Sequence, residues 1–308
     1  CIFAADHVYK MDVEQMLQYH MDNKADVTVA AYVVPSSEAS QFGCIATDEG
    51  GRIIDFIEKP AVPPEIPGRP GFSFVSMGNY IFERETLEES VLSDNEIRES
   101  SHDFGRDIIP SLYKSQKVMA YDFSTNVLPG GDRPYWKDVG SIKAYWEAQM
   151  DLLKHPSELS LYNQQWPIRT VSFSDPPGFT YPASDHSCSV DGCLRAEASR
   201  VLGAYVRKSV LSRNCVIMPG AVVEESIIGQ NVQVGENCRL RRVIVDAHNI
   251  IPPGTSIGFD PVEDAQKYHL DPASGVVVLG MPKIQLRKKL IIPGSYEQLF
   301  RSPDETGF

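Results

Sequence analysis

The stretch VLSRNCVIMPGAVVEESIIGQNVQVGENCRL, residues 210–240, decides the architecture of the second half of the chain. Val210, Val216, Val222, Ile228, Val234 and Leu240 recur six apart without a break, and the register extends back to Ala204 and Ala198. Gly229 and Gly235 each follow an apolar position, and Asn214, Asn231 and Asn237 fall where turns belong. A hexad repeat marks a parallel β-helix whose coils have three short flat sides, each apolar residue stacking on the one a coil later. Gly and Asn suit the corners, where positive φ is required. An α-helix cannot use a period of six, because successive positions wander around its axis. Less regular repeats continue through Ile244, Ile250 and Ile257, with PGTSIG (253–258) as a final coil, EDAQKYH (263–269) as a short helix and VVVLG (276–280) as a last strand.

The chain has 308 residues, 42% of them apolar, which suits two domains with a core each. A net charge of −12 argues against a nucleic-acid surface, which needs clustered cations, but not against a small phosphorylated substrate. The six cysteines (1, 44, 188, 193, 215, 238) lack metal-ligand spacing, so reduced thiols in a cytoplasmic protein are expected. There is no apolar run of about 18 residues, so no membrane span is expected. The chain opens inside a strand without an initiator Met and reads as lacking upstream sequence.

The first half alternates strand and helix. Residues 1–5 read as the end of a buried strand running into Asp6. VEQMLQYHMDN (13–23) has amphipathic helical spacing, and DVTVAAYVV (26–34) reads as a strand buried on both faces. Residues 42–60 read as a hairpin, 60–71 as a Pro-rich loop and 74–83 as a strand. Helices follow near 85–92 and at 103–114, then a strand at 118–123, a loop at 128–134 and a helix at 142–154. Such alternation predicts a mainly parallel sheet with helices on its faces. Between 155 and 190 periodicity fades into a Pro- and Ser-rich linker. The predicted division is a catalytic unit over 1–154, a linker over 155–189 and a β-helix over 190–308.

Four places carry possible chemistry. Asp6, at a strand's carboxyl end, is suited to a divalent metal or to capping a helix. Glu58-Lys59-Pro60 offers a cation for phosphate and a carboxylate for sugar hydroxyls, or is a solvated ion pair. Ser76-Met77-Gly78 marks a close approach of a ligand, or a bulge. Tyr135-Trp136-Lys137-Asp138 places a second carboxylate before a helix, as a metal partner for Asp6 or as an N-cap.

The motifs DHVYKMD, FGCI…FIEKP, SMGNYIF, SSHDFGRDIIP, YWKDVGS, WPIRT, CRLRRVIVD and IPPGTSIG occur in this order. Together they resemble the bacterial glucose-1-phosphate adenylyltransferases, or ADP-glucose pyrophosphorylases, from residue 1 to about 290. The resemblance implies a nucleotidyltransferase domain with a Rossmann-like mixed sheet, followed by a left-handed parallel β-helix of hexapeptide repeats. It implies attack of glucose 1-phosphate on the α-phosphorus of ATP, with Mg²⁺, to give ADP-glucose and pyrophosphate. Asp6 and Asp138 would be the catalytic, metal-binding carboxylates. Lys59 would hold the sugar phosphate, and Gly43, Glu58, Ser76 and Tyr80 would line the glucosyl pocket. Arg239, Arg241 and Arg242 would bind phosphorylated effectors, or else solvate an outward face of a coil. A homotetramer is the family expectation.

The family's Gly-rich triphosphate loop, of the kind GGGxGxRLxPLT, has no counterpart in these residues, so the chain alone is expected to be inactive or severely impaired. Two other readings concern the same fold: a non-catalytic regulatory or oligomerisation subunit, and a sugar-1-phosphate nucleotidyltransferase using another nucleotide. An acyltransferase, which hexad β-helices also host, wants a catalytic His on the β-helix, and His248 lacks that context.

Overall fold

The computed structural model of the chain describes residues 1–183 and 186–282. Residues 283–308, counted above in the C-terminal domain, lie outside the described residues. The first half comprises β1 (His7–Lys10), α1 (Val13–Asp22), β2 (Val27–Pro35), α2 (Ser36–Ala39), β3 (Gly43–Thr47), β4 (Ile53–Glu58), β5 (Phe72–Phe82), α3 (Arg84–Asn95), α4 (Ile109–Leu112), β6 (Val118–Asp122), β7 (Tyr135–Asp138) and α5 (Ile142–Asp151).

The main sheet runs β4-β3-β5-β2-β6. Only β2 and β6 pair in parallel; the other three neighbours are antiparallel. The alternation of elements therefore misled on direction. The turn at Asp48–Gly51 simply reverses the chain, and the Pro-rich loop returns it beside its own hairpin. Neither connection supplies the long crossover that parallel strands need. One face of the sheet packs Met16, Met77 and Phe123, and the other packs Ile45, Ile109 and Val118, all buried.

The opening residues also differ from expectation. Ile2 makes a single antiparallel bridge to Tyr80, Asp6 lies in a turn, and β1 leaves the sheet to pair antiparallel with β7. The cap of α1 is Asp12, whose carboxylate accepts from the Glu14 N–H at 3.0 Å. Ser141 caps α5. Neither Asp6 nor Asp138 is a helix cap.

The second half is a parallel β-helix with sheets of six, five and five strands. Its strand pairing begins at Phe179–Tyr181, which lies parallel to Arg200–Leu202. The interior is built of stacked columns: Val206, Val223, Leu240 and Ile257 in one, Leu211, Ile228 and Val245 in the next, Ile217, Val234 and Ile251 in the third. Each column advances by 17 residues per coil, so one side of each triangle has five residues rather than six. The unbroken hexad series thus slips out of register. Ile228, Val234 and Leu240 do face inward, but before them Leu211, Ile217 and Val223 do so, each one residue after its hexad neighbour.

This register is testable with one substitution at two adjacent sites. Val223→Thr puts a hydroxyl in a dry core and should cost about 1–3 kcal/mol in urea denaturation. Val222→Thr, on the outer side of the same strand, should stay within about 0.5 kcal/mol of the unsubstituted protein.

Candidate active site

A cavity of about 490 Å³ opens beside β5 and takes side chains from four strands. Gly43 and Glu58 face each other across the β3–β4 pair. A Cβ on Gly43 would lie 3.0 Å from Glu58 Oε2 and 3.1 Å from the Phe56 ring, so the bare backbone keeps both groups at the cavity wall. Lys59 follows at φ 48°, a left-handed conformation that costs a lysine on the order of 1 kcal/mol and aims its chain at the cavity mouth. Its Nζ is 3.6 Å from Glu58 Oε1.

β5 carries a bulge, in which Met77, Gly78 and Asn79 oppose Ala30 alone. The bulge turns Ser76, Gly78 and Tyr80 together onto the cavity. Gly78 has φ 68°, and a Cβ there would sit 3.1 Å from His7 Cε1. The close approach anticipated at this glycine is therefore made by a side chain of the same protein. Tyr80 is 5% exposed and stacks on Phe104 with centroids 5.7 Å apart. Burial pushes its phenol above the ordinary range, so it stays protonated and able to donate.

β7 brings Asp138 to the cavity, and the β1–β7 pairing sets His7 opposite it. Asp6, just before His7, does not line the cavity; it is largely exposed and reaches it through the His7 ring, 3.7 Å away. The bare Gly140 separates the two carboxylates: a Cβ there would be 3.0 Å from Asp138 Oδ1 and 3.5 Å from Asp6 Oδ2. Gly140 N–H also donates to Asp138 Oδ1 at 2.7 Å, and Val139 N–H to the Asp6 carbonyl at 3.1 Å. Two carboxylates, both partly solvated, form an all-oxygen donor set that fits a hard divalent cation with phosphate or water completing its shell.

His7, Asp103, Phe104 and Trp136 also line the cavity and were missed in the sequence. Trp136 Nε1–H donates to His7 Nδ1 at 3.4 Å, which leaves Nε2 as the protonated nitrogen. Nε2 stands 3.7 Å from Asp6 Oδ1 and 4.0 Å from Asp138 Oδ1. Asp103 accepts from the Arg106 N–H at 2.8 Å and caps a turn whose next residues, Phe104 and Gly105, close the cavity. Its SSHD context signalled a cap and hid its place at the site.

The three arginines lie elsewhere and do not share one face. Arg239 and Arg241 project outward on either side of inward Leu240, with Arg239 over the Phe259 ring at 4.5 Å. Arg242 turns at the corner onto Trp146 of α5.

The nucleotidyl transferase family pattern matches residues 1–155, and a GlmU-like C-terminal hexapeptide pattern matches residues 175–279. The chain is 44% identical over 280 residues to a glucose-1-phosphate adenylyltransferase of Photobacterium profundum, covering 91% of this chain and 69% of the relative. It is 47% identical over 281 residues to one of Aliivibrio fischeri, with the same 91% and 69% coverage. A Deinococcus radiodurans relative of the same description is 44% identical over 282 residues, 90% of this chain and 68% of the relative. The chain belongs to the glucose-1-phosphate adenylyltransferase family. It is a nucleotidyltransferase by domain and by relatives, its coils are the left-handed hexapeptide β-helix, and enzymes of this kind use a divalent metal. No helix among the described residues is long and apolar enough to cross a membrane.

In this adenylyltransferase the strand carrying Asp138 is tied to α5 by a buried carboxylate. Asp151 accepts from Lys137 Nζ at 2.7 Å and from the Tyr135 hydroxyl at 3.2 Å. Burial pushes Asp151 up, but hydrogen bonds from Lys137 and Lys154 outweigh it and hold the acid below its ordinary 3.8. The stabilisation is thus present above the unfolded value and lost as pH falls through the folded one. Thermal unfolding measured from pH 6 to pH 2 should show a steeper acid loss in the unsubstituted protein than in Asp151→Asn.

Proposed function

We propose that the protein transfers adenylyl from ATP to α-D-glucose 1-phosphate, giving ADP-glucose and pyrophosphate for α-glucan synthesis such as glycogen. The observation that carries this reading is the gathering of Gly43, Glu58, Lys59, Ser76, Tyr80 and Asp138 around one cavity, with Asp6 across Gly140 from Asp138. The names of the relatives point the same way.

In this reading the Lys59 ammonium holds the sugar phosphate as a point charge. Glu58 accepts from glucose hydroxyls, and Ser76 and Tyr80 donate to them. A phosphate oxygen of glucose 1-phosphate forms the new bond to the α-phosphorus as the α–β bridge breaks and pyrophosphate leaves. The nucleophile is already an anion, so no base is required, and the chain's task is to align the oxygen and screen charge. Asp6 and Asp138 would hold Mg²⁺, which would supply charge neutralisation for the triphosphate. Residues 1–154 are the catalytic unit, 155–189 the connection and 190–308 the regulatory and oligomerising β-helix. The enzyme is a cytoplasmic homotetramer that responds to phosphorylated metabolites. Six cysteines without disulfides suit that compartment, and exposed Ile250, Phe179 and Tyr181 on one β-helix face suit a subunit contact.

Pyrophosphate release from ATP and glucose 1-phosphate by the full-length gene product, with UTP, dTTP and GTP in parallel, tests the reading. ATP alone among the nucleotides should support turnover. Asp6→Asn should lower kcat by about 100-fold or more with little change in KM for glucose 1-phosphate. Lys59→Gln should raise that KM by roughly 10-fold to 100-fold. Unchanged kinetics in both variants would sink these roles.

A further inference from the structure

The corners of the β-helix fall into columns of left-handed residues. One column holds Gly203, Gly220, Asn237 and Gly254, and another Ala198, Asn214, Asn231 and His248. Gly and Asn fill the first and half of the second, as sterics favour. The third column departs further: after Gly192 at φ 58° it holds Lys208 at φ 45°, Glu225 at φ 47° and Arg242 at φ 54°. Long charged residues are held in a conformation they disfavour, and strain of this sort is a reason to ask what the side chains do.

Two of the three meet α5. Trp146 Nε1–H donates to the Glu225 carbonyl at 2.8 Å, and the Arg242 guanidinium lies 4.4 Å from the Trp146 ring centre. Arg242 Nη1 is 3.7 Å from Glu225 Oε2, and its Nη2 donates to the Ser274 carbonyl at 3.0 Å. The guanidinium is thereby fixed on three sides. Beside this corner, Val210 and Ile227 point away from the β-helix interior and are still buried, so the face is covered. Lys208, by contrast, is exposed.

α5 is bound as firmly to the active site. Its cap Ser141 follows Asp138 by three residues, and Gly140 and Val139 N–H groups hold Asp138 and Asp6 in place. Its far end is anchored to β7 through Asp151. Any shift of the helix axis is therefore felt at both carboxylates.

We propose that Arg242 is a positioning residue for the reaction: through Trp146 it seats α5 on the β-helix and so sets Asp138 and Asp6 in register. Arg242 is then not an effector ligand. The proposal rests on Asp6 and Asp138 being the site's working carboxylates. Asn occupies equivalent corners, so Arg242→Asn keeps the coil while removing the contact.

Arg242→Asn should lower kcat by about ten-fold or more, as sub-ångström misplacement does. KM for glucose 1-phosphate should stay within about two-fold. In a Trp146→Ala background, which removes the ring, the same change should add nothing further, since the two act as one unit. Lys208→Asn, in the same column, should leave kcat unchanged. Calorimetry, which needs no substrate, should show a single unfolding transition splitting in two in Arg242→Asn. A wild-type kcat with one transition would overturn the proposal. So would a wild-type basal rate with loss only of the response to added inorganic phosphate, which would make Arg242 an anion ligand. If the unsubstituted full-length gene product released no pyrophosphate, the reaction assignment would fail instead, and calorimetry would still decide the joint.

Discussion

Two four-residue strands bring the carboxylates of Asp6 and Asp138 together. His7–Lys10 and Tyr135–Asp138 are far apart in the chain, and their antiparallel pairing is the only backbone ladder that joins Asp6 to Asp138 among the described residues. A two-stranded ribbon of that length is marginal by itself. Its support comes from burial at the end away from Asp138. Tyr135 and Trp136 are 5% and 8% exposed, and Trp136 reaches Tyr32 and Phe42 as well as His7. Opposite Tyr135, Lys10, 4% exposed, pairs with Asp132 and donates to the Ser160 carbonyl at 3.0 Å. A buried ion pair adds little net stability, because desolvation offsets the attraction. It does disfavour slipped registers, each of which would strand a buried charge. Register is what this ribbon has to secure, since a slip of one residue would turn Asp138 to the wrong face.

Much of the fold was legible because it is local. Helix and strand positions in the first half follow from periodicity within each segment, and the β-helix from a repeat that needs no partner elsewhere. The errors came where the answer depended on distant segments. The 42–60 hairpin was read correctly, but strand direction elsewhere in the main sheet was misjudged because a Pro-rich return looks like a step of an alternating fold. The hexad register was misjudged because adjacent apolar residues, such as Val222 and Val223, both satisfy a count of six. Only the 17-residue stacking of coils selects the inward one.

The site divides in the same way. Gly43, Glu58, Lys59, Ser76, Tyr80 and Asp138 stood in motifs and come to the cavity together. His7 and Trp136 stood in those same motifs yet were passed over. Their importance arises from contact with each other across 129 positions, which no local pattern reports. Gly78 was read as a bulge or a ligand approach, and it is a bulge whose open side is filled by the His7 ring.

Backbone strain marks more cations than the two that reach a partner. Lys24, Lys59, Lys208 and Arg242 are all long cationic residues held near φ 50°, where Gly or Asn would be cheaper. For Lys59 the left-handed turn ends β4 and directs the ammonium at the cavity. For Arg242 it ends a β-helix side and directs the guanidinium at α5. Arg239 and Arg241, in ordinary strand geometry, project outward as alternation dictates. A coil of a parallel β-helix is bonded to its neighbours along every side, so its corners hardly move. That stiffness makes a corner a good place to seat a helix whose position Asp138 and Asp6 inherit. A cluster of arginines in a sequence suggests one anion site, whereas the backbone angles divide this one between a solvent face and a joint.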